Sequence, residues 1–152
     1  MSVKIDIHAD DFGESVHASR DILECLKDGK LNSISVLANM SCFEECVRLY
    51  REVQEEFPWQ PMISVHVNLM EGSCLADPKD LSDLVDEKGH FQISWERLFF
   101  VSYFPSGNKF KEQLKIEIEL QIRAVVEAFP EISMQSLRID SHQHTHMIPV
   151  VA

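Results

Sequence analysis

Short runs of alternating apolar and polar positions are separated by longer runs with helical spacing. Over residues 3–9, Val3, Ile5 and Ile7 fall on one side and Lys4, Asp6 and His8 on the other, which is a strand pattern. It leads into Asp10-Asp11-Phe12-Gly13, which reads as a turn. Over 14–27, Ala18, Ile22, Leu23 and Leu26 share one helical face, and Gly29 supplies a C-terminal stop. Residues 33–39 predict a second strand. Ser41 and Glu44 then have the spacing of a capping box, so a helix carrying Phe43, Val47, Tyr50 and Val53 is expected to follow and to end before Pro58. Residues 62–69 read as a third strand, with Ile63, Val65, Val67 and Leu69 alternating against Ser64, His66 and Asn68. A long irregular stretch follows, 71–109, marked by Asp77-Pro78, Lys88-Gly89 and Ser106-Gly107. Within it, Leu98, Phe99, Val101 and Phe104 read as the buried face of a lid helix, while Trp95 or Tyr103 could stack on a ligand ring at the rim. Phe110, Leu114, Ile118, Ile122, Val125 and Phe129 define a long amphipathic helix stopped by Pro130, and residues 136–142 give the last strand.

The order βαβαβ, insertion, αβ predicts an α/β fold with a parallel sheet, open or closed into a barrel, in a single domain over 1–152. Parallel sheets place functional groups at the carboxyl ends of their strands. Three such ends carry ligand-type side chains: Asp10 and Asp11; His66 and Asn68; Asp140, His142, His144 and His146. Carboxylates with imidazoles suit a divalent metal ion, which acidifies water and polarises a carbonyl. An unligated acid beside it can act as general base, and adjacent aspartates allow one to bind metal while the other takes a proton. Taken singly, each piece has a plainer reading: Asp10 to Gly13 as an ordinary turn, His66 as a hydrogen-bonded core histidine. The three alternating histidines are the strongest sign of metal. Were that segment extended, all three would share a face, and spacing alone would pair His142 with His144.

The charge balance, 25 acids against 14 bases for a net −11, argues against nucleic acid or an anionic membrane as a main partner. The N-terminal residues lack a signal-peptide pattern and no apolar run reaches membrane-spanning length, so a cytoplasmic protein is expected. Cys25, Cys42, Cys46 and Cys74 form no CxxC pair and read as reduced thiols.

Three segments, His-Ala-Asp-Asp-Phe-Gly-Glu-Ser from His8, Ile-Ser-Val-His-Val-Asn-Leu-Met-Glu-Gly from Ile63, and Arg-Ile-Asp-Ser-His-Gln-His-Thr-His-Met-Ile-Pro-Val-Val from Arg138, resemble the YdjC family of carbohydrate deacetylases. Leu-Asn-Ser-Ile-Ser-Val-Leu-Ala-Asn-Met from Leu31 fits the family's second strand, and the order is kept. The resemblance implies a deformed (β/α) barrel, incomplete here because the C-terminal part is absent, and metal-assisted removal of acetyl groups from N-acetylated sugars such as diacetylchitobiose. It implies one divalent ion, zinc or magnesium, on Asp11, His66 and His142, with Asp10 as the base. That leaves His144 and His146 as rim residues to orient ligands or touch substrate, with Asn68 read as a further substrate contact. Because a second hydrogen bond fixes an imidazole's orientation and tautomer, Asp140 is a candidate partner for one of the rings. Glu14 and the Ser64-Val65 pair depart from the family pattern without touching an implied ligand. Family members continue beyond the histidine motif, so an open sheet edge and a homo-oligomer that covers it are expected. The alternative is a truncated, non-catalytic relative that binds metal or sugar.

Overall fold

In the computed structural model, which describes residues 5–103, 108–132 and 137–152, four parallel strands lie in sequential order. They are β1 (His8–Phe12), β2 (Ser33–Val36), β3 (Met62–Val67) and β4 (Arg138–Ser141). The helices are α1 (Val16–Lys27), α2 (Phe43–Val53), α3 (Trp95–Tyr103) and α4 (Asn108–Ala128).

The register separates two faces. One carries Ala9, Phe12, Ile34, Val36, Ile63, Val65 and Val67 into the apolar core with Leu23 and Leu26 of α1, Tyr50 of α2, and Leu114 and Val125 of α4. Tyr50 stands edge-on to Phe12 and Phe129, with ring centroids 6.3 and 5.1 Å apart. The other face is polar: His8, Ser33, Ser35, Ser64, His66, Arg138 and Asp140 follow one another across the strands. In a flat sheet of this order β1 and β4 would lie about 14 Å apart. Instead Asp6, just before β1, pairs with Arg138 at 2.7 Å, and His8 comes within 3.6 Å of Asp140. The sheet therefore curls, and its polar face is the concave one.

Several expected boundaries shift. The first strand lies later than the alternation over 3–9 predicts. Ile5 and Ile7 are 70 % and 51 % exposed, whereas Phe12 is fully buried, so the sheet recruits Asp10, Asp11 and Phe12 rather than leaving them as a turn. Val3 and Lys4 lie outside the described residues. Helix α1 starts at Val16, capped by Ser15, whose Oγ accepts the Ala18 N–H at 3.2 Å. Helix α2 starts at Phe43 with no side-chain cap, so Ser41 and Glu44 form no capping box. The Cys42 thiol there turns to the Gly13 carbonyl instead, at 3.0 Å. In α3 Leu98 is buried, but Phe99 is exposed and stacks on Trp95 with centroids 5.7 Å apart. Phe104, Ser106, Gly107 and Ser136 lie outside the described residues. All four cysteines are free thiols, and no helix among the described residues is long and apolar enough to cross a membrane.

The stretch from Glu71 to Ser94 holds no strand, so its backbone donors need other partners. Helix α4 provides them from a stripe four residues apart: Gln113, Glu117 and Gln121 are all buried. The Glu117 carboxylate accepts the N–H groups of Leu75 and Ala76 at 3.0 and 3.1 Å. Gln121 pairs with both backbone groups of Asn68 at 2.8 Å, and Gln113 accepts the Asp83 N–H at 2.9 Å.

Candidate metal centre

Regular pleating would send Asp10 and Asp11 to opposite faces of β1. The register to β2 breaks between Ala9 and Phe12, and Asp11 has φ 63°. This bulge turns Asp11 back to the polar face and returns Phe12 to the core. Gly13, at φ 101°, completes the exit; a side chain there would meet the Leu37 carbonyl at 2.7 Å.

Asp11 Oδ1 lies 3.2 Å from His66 Nε2 and 2.9 Å from His142 Nδ1, and one ligand atom from each residue falls within 4.8 Å of the others. The three could hold one cation. His66 is buried, and its Nδ1 faces Asp140 Oδ1 at 2.5 Å. A carboxylate acceptor there makes Nδ1 the donor and leaves the Nε2 lone pair aimed at Asp11, the tautomer a metal ligand needs. The expected role of Asp140 in orienting an imidazole thus has its partner in His66. Asp10 stands beside the group, half exposed, and its Oδ1 accepts the Ser35 hydroxyl at 3.1 Å.

The histidine segment is not extended. After Ser141, Gln143 and His144 take φ values of 53° and 56°, and the chain winds through short turns to Met147. His142 therefore faces Asp11 while His144 and His146 stay exposed on the rim, their rings edge-on at 6.0 Å. Among the described residues, His142 falls in a group of candidate ligands and His144 does not, so the pair that spacing favours is not the one the fold brings together. His146 instead bonds back to Ser141 Oγ at 2.8 Å through Nδ1 and through its N–H. Asn68 is buried, and its Oδ1 accepts the N–H groups of Met70 and Glu71 at 3.0 and 3.1 Å. It shapes the loop that presents Glu71 to the site.

Two residues at the site escaped the sequence reading. Glu71 Oε1 lies 3.7 Å from His142 Nε2 and accepts from Gln143 Nε2 at 3.2 Å. His8 points its Nε2 at Asp10 and Asp140. The alternation of β1 offered a signal for His8, since it shares a face with Asp10; nothing in the sequence pattern flagged Glu71.

A curled parallel sheet with carboxylates and imidazoles converging at one strand end defines an α/β protein whose rim gathers side chains that could hold a cation. The family model described as YdjC-like protein matches residues 4–152, and the chain belongs to that family. It is 31 % identical over 140 residues to a carbohydrate deacetylase from Thermoanaerobacter pseudethanolicus, covering 91 % of this chain and 49 % of that protein. A carbohydrate deacetylase from Geobacillus stearothermophilus is 31 % identical over 95 % of this chain and 51 % of its own length. One from Danio rerio is 29 % identical over 98 % of this chain and 44 % of its own. The chain thus spans about half the length of these curated relatives. A crystal structure of a protein proposed to cleave cellobiose-phosphate, from Enterococcus faecalis V583, shares the fold with a TM-score of 0.66 at 24 % identity, over 93 % of this chain and 49 % of that one.

Proposed function

We propose that this chain carries the metal centre of a carbohydrate deacetylase acting on N-acetylated sugars such as chito-oligosaccharides, diacetylchitobiose among them. The observation that supports it most is the convergence of Asp11, His66 and His142 with Asp10 beside them. The deacetylase names of the relatives supply the substrate class. One divalent ion, zinc or magnesium, would be held by Asp11, His66 and His142. Two imidazoles and a carboxylate suit zinc, whereas magnesium is ordinarily held by oxygen ligands. When bound, the ion polarises the acetamide carbonyl and acidifies water.

The chain's own residues divide the remaining work. Asp10 takes the proton of the attacking water, and the Ser35 hydroxyl keeps that carboxylate in place. Asp140 holds the His66 ring. His144 and His146 contact the sugar from the rim, and Asn68 acts on the substrate side through the loop that carries Glu71. Water and the acetamide yield acetate and the free amine. The sheet belongs to a deformed barrel, the protein is cytoplasmic, and copies associate into a homo-oligomer detectable by light scattering.

Acetate release from diacetylchitobiose, measured with added Zn²⁺ or Mg²⁺, tests the reading. Asp10→Asn should lower turnover by about 10²- to 10⁴-fold, the usual share of a general base, while retaining the ion. Asp11→Ala should lose both ion and activity. Full activity in a metal-free Asp11→Ala protein would contradict it.

A further inference from the structure

We propose that His8, Asp10 and Asp140 form a second divalent-cation site, adjacent to the Asp11–His66–His142 group and sharing no ligand with it. One ligand atom from each of the three lies within 4.8 Å of the others. His8 Nε2 stands 3.2 Å from Asp10 Oδ1 and 3.6 Å from Asp140 Oδ2. Ligands of a tetrahedral zinc ion with bonds of about 2.0–2.1 Å sit about 3.3 Å apart, so these spacings match a coordination shell.

The argument rests on where the protons are. The Ser33 hydroxyl donates to Asp6, an acceptor-only carboxylate held below its ordinary range by that bond and by the Arg138 guanidinium. Ser33 Oγ therefore has no proton left for His8, and the 2.7 Å contact to His8 Nδ1 requires Nδ1 to donate. In the neutral ring Nε2 then carries a bare lone pair. That atom is buried, makes no hydrogen bond, and faces two carboxylate oxygens. Three electron-rich atoms facing one another need a positive charge between them. A proton on Nε2 would supply that charge through ion pairs with both carboxylates, without a hydrogen bond to either. A cation between the three satisfies all of them at once.

Asp140 links the two groups: Oδ1 engages His66 Nδ1 and Oδ2 faces His8. An ion held here draws on Asp10, so its occupancy competes with the base role proposed above. The site itself is argued from geometry and does not require that reading.

Zn²⁺ binding to the whole chain, counted by equilibrium dialysis, tests it. The unsubstituted protein should bind two ions per chain, His8→Asn one, His142→Ala one, and the double variant none. The Asn amide can keep the bond to Ser33, and a retained ion in His8→Asn shows that the fold stands. One ion in both the unsubstituted protein and His8→Asn would overturn this site while leaving the first intact. One ion in the unsubstituted protein, none in His8→Asn and one in His142→Ala would support this site and remove the first. Should His8→Asn unfold, His142→Ala decides: a retained ion supports the proposal and none overturns it.

Discussion

Asp11 adopts a backbone conformation that side-chain-bearing residues avoid, at a cost of about 1–3 kcal/mol. Its gain is that two consecutive carboxylates reach one face. This was not legible in the sequence, where Asp10 to Gly13 reads as a turn. Nor was the winding at Gln143 and His144, which is why spacing favours a His142–His144 pair and only the family resemblance singles out Asp11, His66 and His142. Ligand-type residues are visible from their chemistry; the φ angles that aim them are not. Away from the site, burial pushes the Cys46 thiol up to about 11 from an ordinary value of 9.0. The unfolded thiol ionises first, so the contribution of Cys46 to stability is complete below pH 9 and is lost as pH rises toward 11. Cys46→Ser should flatten that part of the stability profile, followed by urea unfolding from pH 8 to 11; an unchanged slope would contradict it.

At the scale of elements, the helices were the most legible part. The apolar spacing of α4 is correct at Phe110, Leu114 and Val125, and Phe129, just past its end, is buried as well. What the pattern hid was its second stripe. Gln113, Glu117 and Gln121 look like a solvated face, yet they are buried because the long segment packed on α4 needs acceptors for its backbone. Local sequence cannot reveal this, since the demand comes from residues tens of positions away. Removing Glu117 leaves the Leu75 and Ala76 N–H groups without their acceptor. Glu117→Ala should cost about 2–3 kcal/mol in urea unfolding, and Glu117→Gln distinctly less, because an amide oxygen still accepts. Equal losses in the two variants would show that charge rather than hydrogen bonding matters there.

For the whole molecule, the parallel α/β order was legible from the alternation of periods, and the strands pair as that order requires. The curl was not, because it depends on which polar side chains meet across the concave face. Asp6 and Arg138 fasten the two edge strands there. The Ser33 hydroxyl and Arg138 hold Asp6 below its ordinary value, so the stability it adds is present above about pH 4 and falls away as pH drops through the lowered value. Arg138→Met should make the protein less stable at neutral pH and shallower in its acid dependence. Followed by circular dichroism from pH 7 to 2, an unchanged acid profile would argue that the edges are held otherwise.

The central claim is that Asp11, His66 and His142 surround one ion. X-ray absorption by the His8→Asn protein loaded with a single Zn²⁺ per chain tests this most directly. The account predicts two imidazole nitrogens and oxygen ligation at about 2.0–2.1 Å. A spectrum with fewer than two imidazoles would contradict it.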